Sequence, residues 1–102
     1  MATKATTVYS HITKDPEVCG GRACIDGTRI RVLDVACLQL QGHAPDKMLE
    51  VYPSLNLAQV HAALSYYYEN PQEIDSALEQ DRETAERIER DRADFLRKRS
   101  AR

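Results

Sequence analysis

The chain has 102 residues, 42% of them apolar, and a formal net charge of −2 at pH 7, which suits one small domain with a modest core and leaves little material for a deep catalytic cavity. No stretch approaches the ~18 apolar residues that span a bilayer, the N-terminus lacks a secretory pattern, and three cysteines do not suit a secreted disulfide framework, so a cytoplasmic protein is expected. Duplex binding rests on Lys and Arg neutralising phosphates; any nucleic-acid face must draw on the N-terminal third, which holds Lys4, Lys14, Arg22, Arg29 and Arg31.

Residues 1–7 are small and polar and are expected to form a flexible N-terminus. Val8 to Ile12 suits a short strand ended by Asp15-Pro16. Beyond Gly20-Gly21, the runs Arg22-Ala23-Cys24-Ile25 and Thr28-Arg29-Ile30-Arg31-Val32 flank Asp26-Gly27. Asp-Gly between two β-compatible runs predicts a hairpin with a type I′ turn, which wants positive φ at both central residues. Alternation then turns Ile25 and Ile30 inward and places Arg29 and Arg31 on the opposite face. Such a ribbon is marginal alone and must pack on helices or pair with a second chain.

Leu33, Ala36, Cys37 and Leu40 recur at i, i+3, i+4, i+7, which predicts a helix over 33–41 stopped by Gly42. Pro45 is well placed to open a second helix, with Met48, Leu49 and Tyr52 on one side, and Pro53 ends it. A third starts with Asn56 as N-cap, Gln59 at N3 and a staple from Leu55 to Val60. Leu57, Val60, Leu64, Tyr67 and Tyr68 are expected to face the core of this helix, leaving Asn56, Gln59, Ala62 and Tyr66 as a reading face. Two short helices across such a turn fit a helix-turn-helix, whose second helix reads base edges, or an ordinary corner packing a small domain. A preceding helix makes a three-helix unit and favours the functional reading.

Asn70-Pro71 opens the last element with an N-cap and an N1 proline, and Glu73 stands at N3. No Gly or Pro occurs from Gln72 to Lys98. Ile74, Leu78, Asp81, Ala85, Ile88, Arg92 and Phe95 follow an alternating 4,3 spacing, but two of these seven positions are charged, which argues against a tight coiled coil. Glu83–Arg87, Glu86–Arg90 and Asp94–Lys98 are expected i,i+4 pairs. The helix reads as an arm that orders on a protein partner. Cys19, Cys24 and Cys37 find no matching pair among His11, His43 and His61 for a zinc site, and Cys37 reads as a small core residue. No phosphate loop or activated serine is present, so neither an enzyme nor a cofactor is expected.

The run Gly20-Gly21-Arg22-Ala23-Cys24-Ile25-Asp26-Gly27-Thr28-Arg29-Ile30-Arg31-Val32, with Gly42, Tyr52-Pro53, Leu55, Val60, Ala63-Leu64 and Tyr66-Tyr67 further on, resembles the domain-of-unknown-function family 433 across roughly residues 8–78. The chain departs from that pattern at Ala23, where proline is usual. The resemblance implies a homeodomain-like helix-turn-helix and a VapB-type antitoxin paired with a PIN-like nuclease toxin. The expected architecture is mainly α: a three-helix core with an N-terminal β-hairpin over 8–70, then a charged helical arm over 71–102. The expected function is a non-enzymatic type II antitoxin, a homodimer or higher homo-oligomer. Operator DNA would meet Arg22, Arg29, Arg31, Asn56, Gln59, Ala62 and Tyr66, and the toxin would meet Ile74, Leu78, Ala85, Ile88 and Phe95. The alternative is a protein-interaction module that does not bind DNA.

Overall fold

A three-stranded antiparallel sheet precedes four α-helices in the computed structural model, which describes residues 6–100. Strands β1 (Thr6–Tyr9), β2 (Ile12–Lys14) and β3 (Ala23–Ile25) lie in that order across the sheet. Helices α1 (Val32–Leu40), α2 (Pro45–Val51), α3 (Leu57–Glu69) and α4 (Pro71–Ser100) follow. The expected flexible N-terminus lies outside the described residues over 1–5, and Thr6 and Thr7 already belong to β1.

The sheet corrects two expectations. The single strand over 8–12 is broken at Ser10-His11, where His11 has φ +70°. Histidine is among the residues that tolerate the left-handed region, and the chain doubles back so that Tyr9 pairs with Ile12. The hairpin at Asp26-Gly27 is vestigial. Only Gly27 has positive φ, at +77°, and the Thr28 N–H donates to the Ile25 carbonyl at 3.0 Å, so the turn is not type I′, which needs both central residues there. Beyond it a single bridge joins Cys24 to Arg31. Arg31 must serve as the N-cap of α1, and a residue committed to starting a helix cannot extend a strand. β3 pairs instead with β2, as in Ile12 opposite Ile25.

The helix boundaries follow local chemistry. Asp34 at N3 of α1 accepts from the Arg31 backbone N–H at 2.9 Å, and Gly42, φ +96°, takes the left-handed position after the helix that glycine fills at least cost. Pro45 is the first residue of α2. The capping box of α3 is formed: the Gln59 N–H donates to Asn56 Oδ1 at 2.9 Å and the Asn56 N–H to Gln59 Oε1 at 2.8 Å. The staple residues Leu55 and Val60 are both buried. Asn70 acts on the other side of its junction, as the C-cap of α3, with its amide donating to the Tyr66 carbonyl.

One core gathers these elements. Ile12 and Ile25 of the sheet, Val32, Val35 and Ala36 of α1, Met48 of α2, Val60 and Ala63 of α3 and Ile74 of α4 are all buried in it. Removing a side chain of this size from water stabilises by about 1.5–3 kcal/mol. The stripe on α1 is turned from the expected one: Val32 and Val35 are inside, Cys37 is half-buried and Leu40 is exposed, because α1 packs against both α3 and α4 and is covered from two sides.

Candidate functional site

Asp81, a charged interruption in the sequence pattern of α4, proves to be the point where the arm is fixed to the domain. Arg22, on the segment entering β3, donates from Nη1 to both Asp81 carboxylate oxygens at 3.0 and 3.1 Å. Arg31 reaches the same carboxylate at 3.4 Å and holds Asp34 through Nη2 at 2.9 Å. The guanidinium of Arg31 is pushed above its ordinary pKa chiefly by its hydrogen bond to Asp34, with Asp81 adding to the effect. Two of the three arginines expected on phosphate are therefore neutralised within the chain. Arg29 alone stays exposed, at the turn after β3, with no side-chain partner among the described residues.

The residues expected on the reading face of α3 lie in different surroundings, and the expected burial of its tyrosines is corrected. Asn56 and Gln59 are occupied by each other in the capping box, and Ala62 is partly buried against the core. Tyr66, expected outside, is 2% exposed, whereas Tyr68, expected inside, is 58% exposed. Three consecutive tyrosines on a helix point in three directions, and which one is covered depends on what packs there. Here the covering elements are β2 and α4. The Tyr66 hydroxyl donates to Glu73 at 2.8 Å, Lys14 pairs with Glu73 at 3.2 Å, and the Lys14 ammonium lies 5.8 Å from the Tyr66 ring centre. Its pKa is raised first by the Tyr66 hydroxyl and then by Glu73. Glu73, expected to cap α4, thus clasps three elements instead.

The face of α3 that does meet solvent carries Leu57, Ala58, His61, Ser65, Tyr68 and Glu69, with no Lys or Arg. His61, Ser65 and Tyr68 line a shallow groove of about 600 Å³ with Gln39, His43, Pro45 and Met48. The Gln39 amide donates to the Tyr68 hydroxyl, while Gln39 Oε1 is buried with no partner. The groove brings no nucleophile and base into hydrogen-bond contact. Among the described residues no group of three His, Cys, Asp or Glu is arranged to hold a metal ion, and no helix is long and apolar enough to cross a membrane.

The arm divides at Asp81. Ile74 is buried, and Ala77 and Leu78 pack against the core. From Arg82 to Arg99 every residue is exposed, including Ile88 at 59% and Phe95 at 64%. A helix of 30 residues is about 45 Å long, so more than half of α4 stands clear of the domain. Its local pairs are Glu79–Arg82, Arg82–Glu86, Glu89–Arg92 and Asp94–Arg97, rather than the three expected. The expected partner-binding residues are thereby separated: Ile74 and Leu78 belong to the docked base, and Ala85, Ile88 and Phe95 to the free length.

A family model described as protein of unknown function (DUF433) matches residues 12–67. The chain is 38% identical over 60 residues, 59% of its length, to the uncharacterised protein y4eO of Sinorhizobium fredii, and covers 27% of that protein. It is 39% identical to a DUF433 member protein from Anabaena variabilis whose crystal structure superposes with a TM-score of 0.62, covering 66% of each chain. The chain thus spans about a quarter of the length of the first relative and just under two thirds of the second.

Proposed function

The chain belongs to the DUF433 family of proteins of unknown function, and from that premise we propose that it is a non-enzymatic protein-interaction module of the antitoxin kind. The small domain fixes the base of α4, and the free length of α4 makes the contact with other proteins, a PIN-like nuclease toxin being the heterologous partner. The observation that carries this reading is the abrupt change at Asp81. Before it, α4 is held by the core and by two arginines; after it, Ile88, Phe95 and Leu96 stand exposed on a length of helix with no buried position among the described residues. Apolar side chains held out on a fixed helix are a recurrent mode of protein recognition.

A homeodomain-like helix-turn-helix on operator DNA receives less support. The α2–α3 corner has the right order of elements, yet α3 offers no cation outward, and Arg22 and Arg31 are bound to carboxylates. With Arg22 and Arg31 committed and Arg29 left as the exposed member of that set, phosphate neutralisation has less to draw on. The test is co-purification of the full chain with a PIN-like nuclease. Replacing Ile88, Phe95 and Leu96 together by Asp should abolish the complex and nuclease inhibition while leaving the thermal transition of the domain in place. Capture that survives this triple replacement would remove the arm from the interface. Fluorescence anisotropy on promoter DNA at two salt concentrations tests the second reading, and salt-sensitive binding by the triple variant would establish it apart from the arm.

A further inference from the structure

We propose that the free length of α4 pairs with α4 of a second copy of this chain, antiparallel, about a two-fold axis between Ala85 and Ile88. The inference rests on the reading of α4 as the interaction element and names the occupant of its apolar seam. Leu78, Asp81, Ala85, Ile88, Arg92 and Phe95 recur at intervals of three and four and lie along one side of the helix. Their order is symmetric in a particular sense. With the axis between Ala85 and Ile88, Ala85 meets the partner's Ile88, Leu78 meets the partner's Phe95, and Asp81 meets the partner's Arg92. The two charges that weaken the seam for a parallel pair become opposite partners in the antiparallel one. A parallel pair would set Asp81 against Asp81 and Arg92 against Arg92, and like charges brought together at an interface select against that arrangement.

The rest of the helix agrees. Residues 71–86 carry six acidic side chains and one basic, whereas residues 87–99 carry six basic and three acidic, so antiparallel pairing lays the acidic half of each helix along the basic half of the other. On the flanks Arg82 comes beside the partner's Glu89, and the remaining facing positions (Asp91 with Thr84, Lys98 with Ala77) bring no like charges together. At its base the seam is shared with the chain's own domain, which leaves part of Leu78 and Asp81 open to a second copy. Ala85, Ile88, Arg92 and Phe95 are exposed, Leu78 is half-buried, and the Asp81 side chain is 40% exposed while held by Arg22 and Arg31. Ile74 is sealed in the domain's own core, which ends the seam at Leu78. Arg92 is only loosely engaged within its own chain, 3.9 Å from Glu89.

Sedimentation equilibrium of the full chain, from about 1 to about 300 μM, tests the pairing. The native chain should show a monomer–dimer equilibrium. Arg92→Asp should raise the dissociation constant at least about tenfold by setting Asp against Asp81, and Ile88→Asp with Phe95→Asp should leave only monomer. Arg90→Asp, on the outer side of the helix, should change the constant less than about threefold. Orientation is read from Ala85→Cys with Ile88→Cys, which should oxidise in air to a covalent dimer whose peptide map links residue 85 of one copy to residue 88 of the other. A native chain that stays monomeric, or a dimer indifferent to both Arg92→Asp and the double Asp variant, overturns the proposal. If a monomeric native chain still captures the nuclease and the triple Asp variant does not, the arm reading stands and self-pairing alone fails. If neither association is seen, both fail.

Discussion

Replacing Asp81 by alanine removes the carboxylate on which the base of the arm depends. Three hydrogen bonds are lost, two from Arg22 at 3.0 and 3.1 Å and one from Arg31 at 3.4 Å. The side chains concerned are 30–40% exposed, so solvent screens them, and each ion pair is worth about 0.2–1 kcal/mol. Arg31 keeps its closer partner Asp34 at 2.9 Å, which holds the combined loss to about 1 kcal/mol. For a domain of this size that corresponds to a fall of about 4–8 °C in melting temperature, read by circular dichroism. Hydrogen exchange should accelerate over residues 71–81 and stay unchanged in the sheet. The variant also frees Arg22 from its carboxylate partner, so retention on heparin should rise, with a salt slope steeper by at most about two phosphate contacts. An unchanged melting temperature with native exchange over 71–81 would mean that the apolar docking of Ile74 and Leu78 and the Glu73 contacts hold the arm without Asp81. A loss above about 3 kcal/mol would place the carboxylate in a desolvated site and refute the screening argument.

Two further outcomes test the core. Tyr66→Ala should cost about 3–5 kcal/mol in urea unfolding, whereas Tyr66→Phe, which keeps the ring and loses the hydroxyl's contacts with Glu73 and Lys14, should cost about 1 kcal/mol; equal costs for the two would show that the hydroxyl, not the ring, holds the site. The Cys24 thiol is pushed up to about 12 by burial first and by its contact with Cys19 second, from an ordinary 9.0. The native chain therefore holds a proton that the unfolded chain has lost in that window, so this contribution to stability is complete below about pH 9 and is lost as pH rises toward about 12. Cys24 is therefore held as the thiol at pH 8, and iodoacetamide, which reacts with thiolate, should label the half-buried Cys19 and Cys37 well before it; equal labelling rates would contradict the buried position.

Helix positions were legible in the sequence because their signals are local. A proline at the start of α2 and the reciprocal Asn56–Gln59 cap act within one turn of chain, so neighbouring sequence suffices to place them. What the sequence hid was the identity of the covering elements. Tyr66 and Tyr68 are chemically alike and two residues apart, and only the approach of β2 and α4 decides that Tyr66 is inside. The β2–β3 pairing joins Ile12 to Ile25 across a loop whose length and glycines gave no register. Arg22 and Arg31 looked like free cations because their partner lies 59 and 50 residues further on.

Asp81 links the two levels of the proposal. As an isolated seam residue it weakens helix pairing, and as the ligand of Arg22 and Arg31 it fixes the direction in which the arm leaves the domain. Both effects favour reversible association. Only Ala85, Ile88 and Phe95 on the free length, with Leu78 at its base, supply apolar contact to a second copy, which is little against the freedom lost on association. Self-pairing through this seam is therefore expected to dissociate in the micromolar range, a strength at which a protein partner offering a larger apolar groove displaces it by mass action. On the proposed reading the same arm serves both associations in turn. Strengthening the seam by Asp81→Leu together with Arg92→Leu should tighten the dimer and, in proportion, weaken capture of the nuclease, while loss of the Asp81 ion pairs should be read separately in the melting temperature. Capture that strengthens alongside dimerisation would show that the partner binds the paired arms rather than competing for their seam.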